Sequence, residues 1–124
     1  MKKEDKLITK SLQLIKSRKG IMKVKDLVDH YNISERQFQR RFIATLGVSP
    51  KHYLTTTRFM EAVNLLKSGN YEKLSDIAYI LNYSDQSHFI REVIKLSGMK
   101  PKQLQEKLKQ GSGNIILKPE YYSC

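Results

Sequence analysis

A chain of 124 residues with 23 Lys and Arg against 12 Asp and Glu, net +11, and 40% apolar residues has enough apolar side chain for a core, so a disordered polycation is excluded. Its longest apolar runs are only a few residues, so neither a membrane span nor a secretory apolar segment is expected. The single cysteine, Cys124, leaves no internal disulfide and no cysteine metal site, and a cytoplasmic location is expected.

Apolar residues recur at helical spacing almost throughout. Ile8, Leu12 and Ile15 mark a first helix closed by Gly20, and Val24, Leu27, Val28 and Tyr31 a short second one. Asn32-Ile33-Ser34 interrupts, and Ser34 is a suitable N-cap for a third helix carrying Phe38, Phe42 and Leu46. Gly47 suits a left-handed stop and Pro50 a first helical turn. A long fourth helix holds Leu54, Ala62, Leu65 and Leu66. Ile77, Ala78 and Leu81 mark a fifth, Phe89, Val93 and Leu96 a sixth, and Leu104 and Leu108 a seventh. No segment alternates as a strand would, so the fold class is all-α with about seven helices. After Gln110 the glycines and Pro119 argue against a stable helix.

The chain repeats itself. At a shift of 50 residues Asn32 meets Asn82 and Ser34 meets Ser84; one extra residue then makes the shift 51, at which Phe38 meets Phe89, Arg40 meets Arg91, Gly47 meets Gly98 and Pro50 meets Pro101. Each copy is a short helix, a tight turn containing Asn, a longer helix, a glycine stop and a proline restart. That is the form of a helix-turn-helix, although an αα-hairpin used only for packing shares it. The expected organisation is a first subdomain over 1–50, a linker helix over 51–68, a second subdomain over 69–110 and a tail over 111–124.

The outer faces of the two longer helices favour nucleic acid. At about 100° per residue with Phe38 facing inward, Arg36 and Arg40 point away from the core, flanked by Gln37 and Gln39. The same construction on Phe89 turns Ser87, Arg91 and Lys95 outward, with His88 beside them. Arg and Gln are the long donors that read guanine and adenine edges. The halves differ in charge: residues 1–62 hold 14 basic and 6 acidic side chains, residues 63–124 hold 9 and 6. Within the motifs, Arg36, Arg40 and Arg41 stand against Glu35 (net +2), whereas Asp85 and Glu92 offset Arg91 and Lys95 (net zero). On that count the first motif is the principal reader.

From Leu27 to Leu104 the sequence resembles the DNA-binding domain of the AraC/XylS family of bacterial transcriptional regulators. The runs ISERQFQRRFIATLGVSPKHYL, TRFMEAVNLLKSG and LSDIAYILNYSDQSHFIREVIKLSGMKPKQL carry the resemblance. It implies two helix-turn-helix subdomains joined by a linker helix, with base-facing positions at Arg36, Gln39 and Arg40 and at Gln86, Ser87, His88 and Arg91. Counted from Lys51 to Lys67, the seventeen residues of the linker helix span roughly 25 Å, which with the width of the subdomains approaches the roughly 34 Å of one DNA turn. The implied partner is double-stranded DNA, with RNA polymerase as a further candidate. The chain is expected to act as a monomer, any dimerisation belonging to a domain it does not contain. Asn32 and Asn82 stand where the family often has glycine.

Other chemistry is weakly supported. His30, His52 and His88 lie far apart in the sequence and suggest no metal site, and no cofactor motif is present. Ser84, Asp85, Ser87 and His88 contain the letters of a hydrolase triad, but they fall in one cap and first turn, so no enzyme is expected. A protein-interaction module and a nonspecific architectural DNA-binding protein are the alternatives.

Overall fold

The computed structural model describes residues 4–109. The tail over 111–124, Cys124 included, lies outside the described residues. Among those described, seven helices follow one another without a strand: α1 (Lys6–Ser17), α2 (Val24–Tyr31), α3 (Glu35–Leu46), α4 (Pro50–Ser68), α5 (Leu74–Ile80), α6 (Gln86–Ser97) and α7 (Pro101–Lys109). The fold is all-α, as the periodicity requires. None of these helices is long and apolar enough to cross a membrane.

The helix ends follow from local chemistry. Gly47 and Gly98 close α3 and α6 at φ 79° and 78°, each donating its N–H to the carbonyl four residues back at 2.8 Å. Asn32 and Asn82 take the same left-handed region at φ 51° and 59°, a conformation that Asn tolerates better than most side chains. The residues after them repeat one bond: Ile33 N–H donates to the Val28 carbonyl at 3.1 Å and Tyr83 N–H to the Ala78 carbonyl at 3.0 Å. The starts of α2 and α5 match as well. Lys23 N–H donates to Asp26 Oδ2 at 2.9 Å and Lys73 N–H to Asp76 Oδ2 at 2.8 Å, so each carboxylate satisfies an amide at a helix N-terminus.

The chain divides into two compact units, with the boundary between Thr57 and Arg58 inside α4. In the first unit Ile8, Ile15, Leu27, Val28, Phe38, Phe42 and Leu54 form the buried cluster. The stripe on α1 is therefore core in this unit. In the second, Phe59, Ala62, Val63, Leu66, Ile77, Ala78, Leu81, Phe89, Val93, Leu96 and Leu104 are buried.

The repeat extends further than the two motifs. At the shift of 51, Ile8, Ser11 and Ile15 of α1 correspond to Phe59, Ala62 and Leu66 of α4, and all six are buried. The Ser11 hydroxyl is accommodated there by donating to the Ile8 carbonyl at 2.7 Å. The early turns of α4 thus complete the first core through Leu54, while its later turns supply the second core as α1 supplies the first.

Candidate nucleic-acid interface

In the first unit Ser34 accepts from the Gln37 N–H at 3.1 Å and starts α3. Burial of Phe38 and Phe42, whose rings lie 5.6 Å apart, fixes the rotation of the helix. Arg36, Gln37, Gln39 and Arg40 are consequently all exposed. Arg41 is not part of that outward set. Its Nε and Nη2 donate to the two oxygens of Asp5 at 2.8 and 2.7 Å. Asp5 also caps α1, accepting from the Ile8 N–H at 3.3 Å. The hydrogen bond from Arg41 is the main reason the Asp5 carboxyl is held below the ordinary carboxylate range.

In the second unit the extra residue of the repeat falls in the turn. Asp85, and not Ser84, is the N-cap of α6, accepting from the His88 N–H at 2.7 Å. Gln86, Ser87, Arg91 and Lys95 are exposed, while Phe89 and Val93 point into the core. His88 is half-buried and faces partners within the protein. Its Nδ1 lies 3.2 Å from Ser84 Oγ, its Nε2 3.5 Å from Glu92 Oε2, and its ring meets Tyr83 edge-on at 5.1 Å.

Glu92 overturns the charge count made along the sequence. It does not stand beside Arg91 and Lys95 on the outer face; it is buried, at 8% exposure. Tyr83 donates its hydroxyl to Glu92 Oε1 at 2.6 Å, and Arg58 on α4 donates Nη2 to Oε2 at 3.1 Å. The Arg58 guanidinium also lies 4.0 Å above the Tyr83 ring. Burial, reinforced by the adjacent carboxylate, pushes the Tyr83 hydroxyl well above its ordinary range and keeps it a donor. The signals available in the sequence were the i, i+4 spacing of His88 and Glu92 and the position of Glu92 on the Phe89 side of the helix. Arg58, 34 residues away, gave no local sign.

With Arg41 and Glu92 both engaged inside their units, the outward charges become alike. With those two left out of the sum, Arg36 and Arg40 count against Glu35 in the first motif and Arg91 and Lys95 against Asp85 in the second, each net +1. Each face presents exposed hydrogen-bond donors, Arg36, Gln37, Gln39 and Arg40 on α3 and Gln86, Ser87, Arg91 and Lys95 on α6. Among the described residues no group of three His, Cys, Asp or Glu side chains is placed to hold a metal ion.

Comparison with known proteins bears on the family and the fold. A family model described as a helix-turn-helix domain matches residues 27–107. The transcriptional activator RhaS of Escherichia coli K12 is 33% identical over 63 residues, which make up 51% of this chain and 22% of the relative. The RhaS protein of Shigella boydii matches to the same extent. The chain thus matches less than a quarter of the length of these relatives. Among solved structures, the C-terminal domain of AraT, a response regulator from Geobacillus stearothermophilus, shares the fold at a TM-score of 0.76 and 23% identity, covering 86% of this chain and 88% of that one.

Proposed function

Because the chain belongs to the AraC/XylS family of helix-turn-helix DNA-binding transcription regulators, we propose that it reads a specific double-stranded site with both of its longer motif helices, α3 and α6, placed in adjacent major grooves. Arg36, Gln37, Gln39 and Arg40 are the readers in the first motif, and Gln86, Ser87, Arg91 and Lys95 in the second. His88 belongs to the second set as a residue that steadies the start of α6 from inside. The observation that carries this reading is the repetition of an exposed donor face on two helices whose buried phenylalanines, Phe38 and Phe89, are equivalent. The bound species is one chain per site, acting in the cytoplasm. RNA polymerase is a second partner of this reading, in keeping with the activator role named for RhaS.

Selection from a random duplex library, followed by footprinting and sedimentation of the complex, tests the proposal. The expected result is an enriched motif in two parts about one helical turn apart, roughly 34 Å, bound by a single chain. Affinity should fall by roughly tenfold or more between low and physiological salt as phosphate counterions are released. Two chains on a short palindrome contradict the binding mode. Binding without an enriched motif points to an architectural protein, and the absence of binding to a protein-interaction module.

A further inference from the structure

Each unit carries a groove at the same place in the repeat. In the first unit it is lined by Val24, Glu35, Gln39, Ser49, Pro50 and Lys51. In the second the lining includes Leu74, Gln86, Ile90, Lys100, Pro101 and Lys102, which are the same positions at shifts of 50 and 51, with Phe89 and Ile94 added. Both grooves open between the outward flank of the motif's longer helix, the first residue of the helix before it and the start of the helix after it. The chemistry differs. Glu35 gives way to Gln86, Gln39 to Ile90 and Ser49 to Lys100, so the second groove has an apolar floor, no acid among its described lining residues and lysines on its rim. Ile94 adds to this strip and is 38% exposed.

We infer that the second groove receives the edge of the DNA duplex, with Lys100 and Lys102 on the phosphates of one strand and the Ile90–Ile94 strip against the 5-methyl group of a thymine. This rests on the two-helix reading proposed above and names the base chemistry at one of its positions. The lysines of the rim favour a polyanion over a neutral or basic peptide. An isoleucine has no donor for a base edge, but thymine is the base that offers a methyl group in the major groove. The equivalent position in the first unit, Gln39, carries the amide suited to adenine. Ile90 is therefore a specificity-determining residue, at a position where the two half-sites should differ.

The experiment takes the site selected by the full chain and replaces each thymine of the second half-site in turn by deoxyuridine, which removes only the methyl group. One replacement should weaken wild-type binding about three- to fivefold, the scale of one buried methyl group. In Ile90→Ala the same replacement should change affinity less than about twofold. On a first half-site with thymine placed at the position that faces residue 39, Gln39→Ile should introduce a new deoxyuridine sensitivity. Ile90→Val, which keeps a β-branched apolar side chain, carries the comparison if the alanine variant melts at low temperature; its sensitivity should be reduced. Uniform insensitivity to deoxyuridine, or a sensitivity undiminished by change at Ile90, overturns the inference and leaves the groove to some other occupant while the two-helix reading stands. Failure to enrich any site overturns both.

Discussion

Arg41 and Glu92 occupy the same place in the repeat, 51 residues apart, one on α3 and the other on α6, and they carry opposite charges. In the first unit Arg41 pairs with Asp5, with side chains 35% and 19% exposed. In the second Glu92 pairs with Arg58, at 8% and 18%, and collects the Tyr83 hydroxyl and the His88 ring as well. One position on the helix cylinder, just beside the buried phenylalanines, thus needs a long polar side chain in both units, but the sign of the charge is free so long as a preceding segment supplies the opposite one. The more exposed pair fastens the entry of α1; the more buried one fixes the setting of the second motif's longer helix.

This difference predicts unequal costs. Arg58→Ala should destabilise the protein by about 3 kcal/mol, because it leaves Glu92 buried without its counter-charge. The double variant Arg58→Leu with Glu92→Leu should recover most of that loss, since an apolar pair avoids desolvating two charges. Arg41→Ala should cost no more than about 1 kcal/mol. Urea titrations of the four proteins measure all these values, and equal costs for Arg58→Ala and Arg41→Ala would remove the distinction between the pairs.

DNA binding sharpens the comparison from the other side. The sequence alone expects Arg40→Ala to be more damaging than Arg91→Ala. With the outward charges of the two motifs equal, each substitution should cost about 1–3 kcal/mol on a cognate site and relax preference at one base pair. Titration against cognate and single-base-variant duplexes, with thermal melts as the folding control, decides between these expectations. A much smaller effect of Arg91→Ala would restore the first motif as principal reader.

The glycine stops should respond alike. Gly47→Val and Gly98→Val force a β-branched residue into φ near 79° and 78°, and each should lose about 1–2 kcal/mol. At Gly47 an added Cβ would meet nothing within 4 Å, so the cost there is backbone strain alone. A markedly larger loss at Gly98, read from melts of the two variants, would mean that the second stop is also sterically crowded.

The smallest effect concerns pH. Arg41 holds the folded Asp5 carboxyl below its unfolded value, so the pair contributes fully above the ordinary carboxylate range, about pH 4, and the contribution fades as pH falls through the depressed folded value. Asp5→Asn should therefore lose less than about 1 kcal/mol at neutral pH and melt with a weaker acid dependence between pH 6 and 3 than the parent. Identical acid slopes would show that this half-exposed pair adds nothing.

What the sequence by itself determined is what depends on neighbours within a few residues. The helix period, the Ser34 cap, the left-handed Asn and Gly positions and the outward turn of Arg36, Arg40 and Arg91 are all set by interactions one turn long, so they were legible together with the repeat. Where two nearby residues offered the same service, locality did not choose: Ser84 and Asp85 both suit a cap, and only the length of the folded turn gives it to Asp85. The correspondence of α1 with the later turns of α4 was hidden because it lies in burial and not in residue identity, Ile8 matching Phe59 and Ser11 matching Ala62. The tertiary structure alone decided the two charges at the edge of the core, Arg41 and Glu92. A helix wheel places Arg41 and Glu92 near the edge of the core, but whether such a residue meets water or a partner depends on Asp5 and Arg58, 36 and 34 residues away, being brought alongside by packing.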